Sequence, residues 1–368
     1  MANNNNNKTI WFEALTAKQA MLFLAIGKRL EQVGFDIIYT TRDYDYIRDI
    51  FKHQNVQPKV IGTYGGKTLE EKLLASARRV VLLAEFISQL PSKPIVSISF
   101  SSPDASRVAF GLAIPLILLN DTSHSTAVGK LTFSLAKHLI IPECLKRGDF
   151  IQLGAQPQII TQYAGVDEVE YLSGKNYEEF LKLRKAVIQK TDDSHRYLIF
   201  RPEENFAAYM KDPDKKPYLE ILQEIVKCYD KKILVFPRYP QQKKEILQKF
   251  KGEVVIPVKG LSNLELYATA EVAVTGGGTM GREAALLGIP SITYFWRHLE
   301  PQIYIENKGF PSYSIQNIQN AKKIIRKICS DPLQYWANTR DMINQLEKPS
   351  DVLIPLLKRD NEIGQYFK

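Results

Sequence analysis

Apolar positions follow two rhythms along this chain. Short consecutive apolar runs, as in strands buried on both faces, alternate with longer stretches in which apolar residues recur every three or four positions, as in helices packed by one face. Residues 10–12 read as a first strand. Residues 18–33 read as a helix, with Met21, Leu22, Leu24, Ala25, Leu30 and Val33 at helical spacing and Gly34 as its stop. A strand over 36–41, a helix over 43–52 and the end of a third strand at 60–61 follow. Thr68 stands where an N-cap belongs, with Glu71 three residues on in capping-box position, and a long helix runs from there to about residue 90. Strands over 95–100, 116–119 and 138–141, with helices over 108–112 and around 127–136, complete this series. Residues 150–193 lose the rhythm, apart from a charged helical stretch over 177–189, and read as the passage between domains.

A second series begins near Tyr197. Strands are predicted over 198–200, 232–236, 254–257, 271–275 and 291–294. Helices are predicted over 218–228, 241–250 and 263–270, the last capped by Ser262, and then over 317–330, 332–347 and 351–367. Repeated strand–helix alternation implies parallel sheets covered on both faces, an α/β class. The division that follows is a tail (1–7), a first domain (8–162), a linker (163–195), a second domain (196–347) and a terminal helix (348–368). Ligands of open α/β sheets bind at the carboxyl ends of strands, and the candidate chemistry is sought there.

The strongest signal lies within residues 271–290. A buried strand ends in Gly276, Gly277 and Gly278, and a helix follows from Gly281, closed by Gly288 and Pro290. Glycines let a phosphate approach the backbone, and the first amides of a helix lack internal partners and point at it. Glu283, read in the first turn of that helix, can reach the ribose hydroxyls of a nucleotide. The bland alternative is a tight turn with an acidic helix start. The spacing is neither that of a dinucleotide fingerprint nor that of a P-loop. Arg201 and Arg238 each follow a strand beside a proline, where a guanidinium can clamp a diphosphate; surface ion pairing is the alternative.

The first domain offers weaker candidates. Asp121 and His124 share the loop after a strand, where a histidine beside a carboxylate can act as a general base. Helix capping by Asp121 with packing of His124 is the alternative. Glu13 ends the first strand and can contact an acceptor. Gly65, Gly66 and Lys67 form a second glycine turn able to hold an acceptor phosphate. Trp296, Arg297 and His298 follow a strand of the second domain, where a base or sugar would lie. The helix over 317–330 sets Lys322, Lys323, Arg326 and Lys327 against Ile324, Ile325 and Ile328, which suits either solvent or weak association with an anionic membrane surface.

Composition narrows the partners. The chain has 368 residues, 45% hydrophobic and 24% charged, as in a soluble globular protein of two domains. Residues 3–7 are a run of asparagine and read as a disordered tail without the order of a signal peptide. The longest apolar run, 108–119, is too short to span a bilayer, so a cytoplasmic protein is expected, with peripheral contact at the inner membrane face as the one route to a membrane. The net charge of +9 is spread along the chain rather than gathered in a block, so nucleic acid is not an expected partner. Three cysteines and five histidines show no metal or disulfide spacing, and no metal is expected.

These residues resemble a known family. Residues 275–290 resemble the nucleotide-sugar loop of GT-B-fold glycosyltransferases and the corresponding loop of the non-hydrolysing UDP-N-acetylglucosamine 2-epimerases. The whole chain is similar to an uncharacterised, mainly archaeal family of GT-B-like proteins. The matching segments are 10–12 with 40–42, 64–67, 121–124, 163–168 with 171–172, Arg201-Pro202, Pro237-Arg238 and 276–288. The resemblance implies two Rossmann-like α/β/α domains facing each other across a cleft, with the terminal helix (348–368) able to return to the first domain. It implies a nucleotide sugar, UDP-linked first among them, as substrate, with no obligatory cofactor and an acceptor of unknown identity. In those families the loop glycines approach the diphosphate and the glutamate contacts ribose, roles carried here to Gly276, Gly277, Gly278, Thr279 with Met280, and Glu283. Two departures stand out. Residues 13–18 lack the glycine-rich turn ending in histidine of transferases that act on lipid-linked acceptors. Pro237-Arg238 replaces the His-Pro element of the epimerases. The leading reading is a glycosyltransferase with His124 as base, Asp121 beside it, and Arg201 and Arg238 on the leaving diphosphate. An epimerase and a non-catalytic nucleotide-sugar binder are the alternatives, and the oligomeric state is left open.

Overall fold

The computed structural model describes residues 8–44, 47–66, 68–189, 195–204, 216–257 and 263–367. Ser262, expected as a helix cap, and the asparagine tail lie outside them. Contacts divide the chain into two compact units, one of Met1–Tyr171 with Glu347–Lys368 and one of Leu172–Leu346. Among the described residues no helix is long and apolar enough to cross a membrane.

The first unit is built on a parallel sheet of seven strands: β1 (Thr9–Ala14), β2 (Asp36–Asp43), β3 (Lys59–Thr63), β4 (Val96–Ser99), β5 (Leu116–Leu119), β6 (His138–Pro142) and β7 (Ile160–Tyr163). Their order is β3-β2-β1-β4-β5-β6-β7. The chain therefore winds outward in one direction from β1, returns, and winds outward in the other from β4, with its switch point between those two strands. β1 is buried along its whole length because it pairs with β2 on one side and β4 on the other. Trp11, Leu83, Ile87, Val108, Leu118 and Phe150 belong to the core on one face of this sheet.

Some elements differ from the apolar pattern because capping overrides it. The helix expected over 108–112 runs Pro103–Gly111: Ser102 accepts from the Ala105 amide and Pro103 takes the first position. The stretch expected as an interdomain passage instead supplies β7, which pairs with β6, and the helix Lys175–Ile188 of the second unit. Residues 347–367 belong to the first unit. There the Ser350 hydroxyl donates to Glu170 at 2.7 Å, Lys137 and His138 engage Asp360 at 2.9 and 3.1 Å, and Phe367 meets Phe35 edge-on at 4.6 Å.

The second unit carries a parallel sheet of β8 (Tyr197–Arg201), β9 (Lys232–Val235), β10 (Ala270–Thr275), β11 (Ser291–Tyr294) and β12 (Ser312–Ile315), in the order β12-β11-β10-β8-β9. Its switch point lies between β8 and β10. The strand expected over 254–257 contributes one bridge, Val255 to Leu234. The basic helix, Ile318–Ser330, buries Ala321, Ile325 and Ile328 in the core, while Lys322 pairs with Glu220 and Arg326 with Glu224, both at 2.9 Å. Its apolar stripe is therefore turned inward and is not offered to a membrane. Cys228 and Cys329, far apart in sequence, lie near the ends of two helices, Pro217–Cys228 and Ile318–Ser330.

Candidate functional site

In the second unit, the sheet order alone puts the glycine loop at the switch point. Thr275, the last residue of β10, is in register with Arg201, the last of β8, and the Gly276 amide donates to the Arg201 carbonyl at 2.8 Å. The chain leaving β8 then lies on Gly276: a Cβ there would fall 2.5 Å from the Glu203 nitrogen and 2.6 Å from its Cα. No side chain fits at this position. The Thr275 hydroxyl donates to the Gly277 carbonyl at 2.8 Å and fixes the turn.

The helix begins earlier than its apolar pattern suggests. It spans Gly278–Leu286, so the loop is Gly276 and Gly277 alone, and Glu283 falls in the second turn rather than the first. The cause is Gly281, which lies against the sheet. A Cβ there would sit 2.6 Å from Thr293 Oγ1 and 3.0 Å from Thr275 Oγ1, so this glycine serves helix–sheet packing within the helix instead of marking its start.

The helix N-terminus is capped by Gly277, which offers no side-chain hydrogen bond. Its first amides and the positive end of the helix dipole are therefore presented at a half-buried lip of Gly277, Gly278, Thr279 and Met280. Two guanidinium groups meet this lip. Arg238 Nη2 lies 3.1 Å from where a Gly277 Cβ would be, and its Nε donates to the Pro202 carbonyl at 3.1 Å. Arg282 Nη1 folds back onto Gly278 from one helical turn further on. Arg201 is placed differently from the expectation: it is nearly buried, and it donates to the carbonyls of Phe236 at 3.0 Å and Pro237. It thus ties the end of β8 to the segment that carries Arg238. Glu283 is buried, and one of its carboxylate oxygens accepts from Tyr267 at 2.5 Å. Trp296 is exposed after β11, with the Arg297 guanidinium 5.5 Å from its ring centre.

Glu203 and Arg282 escaped the sequence reading. Glu203 is buried between the Tyr218 amide at 3.2 Å and the Tyr294 hydroxyl at 2.8 Å. Burial pushes its carboxyl above the ordinary range, against the pull of these donors and of Arg238. The available signal for Arg282 was its spacing, four residues beyond Gly278, which puts both on one helix face.

At the switch point of the first unit, Lys18 occupies the first turn of the helix Ala17–Glu31, whose N-cap is Thr16. Its ammonium group lies 2.5 Å from Asp121, 2.5 Å from Asp167 and 3.8 Å from Glu168, and 4.6 Å from the centre of the Phe100 ring. The Tyr163 hydroxyl donates to the other oxygen of Asp167 at 2.6 Å. Burial raises the Asp167 carboxyl above its ordinary value, with Asp121 and Glu168 adding to this and Lys18 opposing it. Asp121 also accepts from the Thr122 hydroxyl at 2.9 Å. The helix that follows is capped at Ser125, so Asp121 is not its cap. His124 sits half-buried in the same turn. Lys18 and Asp167 were given no role by the sequence, although residues 163–168 stood among the matching segments; a lysine in a first helical turn, against the helix dipole, was the signal available.

Two first-unit candidates take structural places. Glu13 is fully buried, pairs with Arg79 at 2.5 Å and accepts from the Thr40 hydroxyl; burial raises its carboxyl while Arg79 opposes the shift. It is enclosed in an ion pair rather than presented to an acceptor. Gly65 and Gly66 pack on the start of the helix Leu69–Ser88. A Cβ on Gly65 would fall 2.7 Å from Lys72 Cα, and one on Gly66, at φ +80°, would fall 2.6 Å from Glu71 Oε2. That helix start already has its capping box, with Glu70 and Glu71 in the first turn, so its field favours no further anion. Lys67 lies outside the described residues. Among those residues there is no group of three or more His, Cys, Asp or Glu able to hold a metal ion.

Comparison with known proteins adds four findings. A family model described as a protein of unknown function, DUF354, matches residues 8–357. The uncharacterized protein MJ0665 of Methanocaldococcus jannaschii is 29% identical over 354 residues, 94% of this chain and 97% of that protein. Among solved structures, a UDP-GlcNAc 2-epimerase from Neisseria meningitidis bound to UDP-GlcNAc superposes with a TM-score of 0.70 at 14% identity, over 96% of this chain and all of that one. Alr3699/HepE of Anabaena, in complex with UDP and glucose, superposes with a TM-score of 0.61 at 12% identity, over 95% and 99% of the two chains. At these identities the likeness shows the fold, which is GT-B-like with two Rossmann-like units.

Proposed function

The chain belongs to the DUF354 family, and on that footing we propose that it is a glycosyltransferase that takes its sugar from a nucleotide sugar, UDP-linked first among them. One observation carries this reading. At the switch point of the second sheet, a helix N-terminus without a side-chain cap, the Cβ-free backbone of Gly277 and Gly278 and the Arg238 guanidinium converge where a diphosphate would sit. Solved structures of the same fold hold UDP-GlcNAc or UDP with glucose, which supports the ligand class.

In this reading the acceptor hydroxyl attacks the anomeric carbon and the nucleoside diphosphate leaves. Charge developing on the departing diphosphate is met by the Gly278 to Met280 amides and Arg238, which are already in place before reaction. Glu283, buried one turn beyond the lip, takes a ribose hydroxyl. His124 or Asp121 accepts the acceptor's proton, with the Lys18 ammonium group 2.5 Å from Asp121. A second reading, epimerisation of the nucleotide sugar, is favoured by the Lys18, Asp121 and Asp167 cluster. Asp167, whose carboxyl burial raises, shares the Lys18 ammonium group with Asp121, and two carboxyl groups so placed suit removal and return of a proton at a sugar carbon.

The test is a thermal-shift series with UDP, UDP-GlcNAc and UDP-glucose. At least one should raise the melting temperature, and Arg238→Gln should weaken that ligand about tenfold. No response to any of them would sink the reading. Product analysis then separates the chemistries: release of UDP only when an acceptor is added marks transfer, whereas exchange of a sugar-carbon hydrogen in D2O with the nucleotide sugar alone marks epimerisation.

A further inference from the structure

Arg42 lies near the end of β2, at the carboxyl edge of the first sheet, and is half-buried. Its Nε is buried without a hydrogen-bond partner, and its guanidinium forms no ion pair among the described residues. What surrounds it is aromatic and positive. Its guanidinium carbon is 5.1 Å from the ring centre of Tyr44 and 5.3 Å from that of Tyr64, and these two rings stack on each other at 4.6 Å. Burial, and then the charge of Arg79, push the Arg42 guanidinium below its ordinary value; Tyr44, Tyr64 and Glu13 oppose this.

The nearby carboxylates are already committed. Arg79 is almost fully buried, and it binds Glu13 at 2.5 Å, Asp104 at 3.2 Å and the Ile61 carbonyl at 2.8 Å. Asp104 also accepts from the Ser76 hydroxyl. Even so, Arg79 Nη2 remains buried with no partner. Each of two neighbouring guanidinium groups thus keeps one unused buried donor. A cation partly withdrawn from water beside a like charge, with no carboxylate bonded to it among the described residues, is unfavourable to folding, because aromatic contacts replace only part of the lost hydration. Such a group at the carboxyl edge of a parallel sheet is what an anionic ligand would complete.

We propose that Arg42 anchors an oxyanion-binding site in the first unit, taking the phosphate or carboxylate group of a small ligand. Guanidinium geometry fits either group by paired hydrogen bonds. The stacked tyrosines hold the guanidinium against swinging into solvent and supply an aromatic wall for the body of the ligand. Arg79 adds positive charge behind it. Binding here is independent of the nucleotide loop; only the further step, that the bound molecule is the acceptor, rests on the transfer reading above.

The experiment follows arginine side-chain Nε–H signals of the full-length 15N-labelled protein. It is titrated with inorganic phosphate, then with glucose 6-phosphate and with glucuronate. The Arg42 signal, identified by its loss in Arg42→Lys, is expected to move saturably with at least one of the three. Arg42→Gln should weaken that ligand about tenfold, read by thermal shift, while Arg238→Gln should leave the Arg42 response intact. Without anion, Arg42→Gln should melt no lower than the wild type, because the arginine contributes no internal bond. A response to glucose 6-phosphate alone assigns the site to phosphate esters, and one to glucuronate alone assigns it to carboxylates. The proposal is overturned by an unmoved Arg42 signal with all three, or by a shift that never saturates and is reproduced by sodium chloride. It is equally overturned if Arg42→Gln melts several degrees lower yet keeps the anion response, which would make Arg42 a purely structural residue.

Discussion

Glu203 shows how a single buried carboxylate shapes the glycine loop. It holds the Tyr218 amide and the Tyr294 hydroxyl, and its own backbone forms the floor beneath Gly276. Burial raises its carboxyl above the ordinary 4.5. The folded state therefore binds this proton more tightly than the unfolded state. The stabilisation is complete below the unfolded value and is lost as pH rises through the folded one. Glu203→Gln has no such loss. Its urea midpoint relative to wild type should rise between about pH 5 and about pH 8, and a difference constant over that range would show that Glu203 titrates normally. At this scale the sequence was least legible. Lys18 finds Asp121 and Asp167 across 103 and 149 residues, and nothing in local spacing announces a partner that distant. Glu13 misled for the same reason: Arg79, which encloses it, is on the helix Leu69–Ser88, far along the chain.

Elements were read more reliably where a local rule decides them. The capping box at Thr68 and Glu71 formed as its spacing required, because both partners lie within one turn. The helix after β10 began early because its start is set by packing of Gly281 on the sheet, which no local pattern reports. The same geometry ranks the glycines. Gly276→Ala would force a methyl into the Glu203 backbone, costing about 1–3 kcal/mol of stability by overpacking and displacing the lip. Gly148, in the helix Arg147–Ile151 with nothing near its missing Cβ, is the control: alanine there should be neutral or mildly stabilising. Equal melting temperatures for the two variants would contradict the close approach at Gly276.

For the whole molecule, alternation of apolar runs correctly implied two parallel α/β units, since each strand buried on both faces writes its own short run. Strand β7 left no such run, because it is an edge strand and only half apolar on its surface. The return of residues 347–367 to the first unit also has an electrostatic seal. Burial works against the Asp360 carboxylate, but hydrogen bonds from Lys137 and His138 outweigh it and bring it down to about 2. Stability from this seal is present above the ordinary 3.8 and is lost as pH falls through the folded value. Asp360→Asn should lower stability at about pH 6 by on the order of 1 kcal/mol, allowing for the exposure of Lys137, and the deficit should shrink toward about pH 2 in thermal denaturation. A deficit unchanged over that range would mean that the seal is not ionic.

That return has a consequence for biosynthesis. The second unit is contiguous, whereas the first is written in two pieces with the second unit between them. On the ribosome, all seven strands of the first sheet emerge early, yet Glu170 lacks Ser350, and Lys137 and His138 lack Asp360, until those residues are translated. The second unit can therefore finish folding first, although it starts later, and the unit whose translation starts earlier of the two is the last to be sealed.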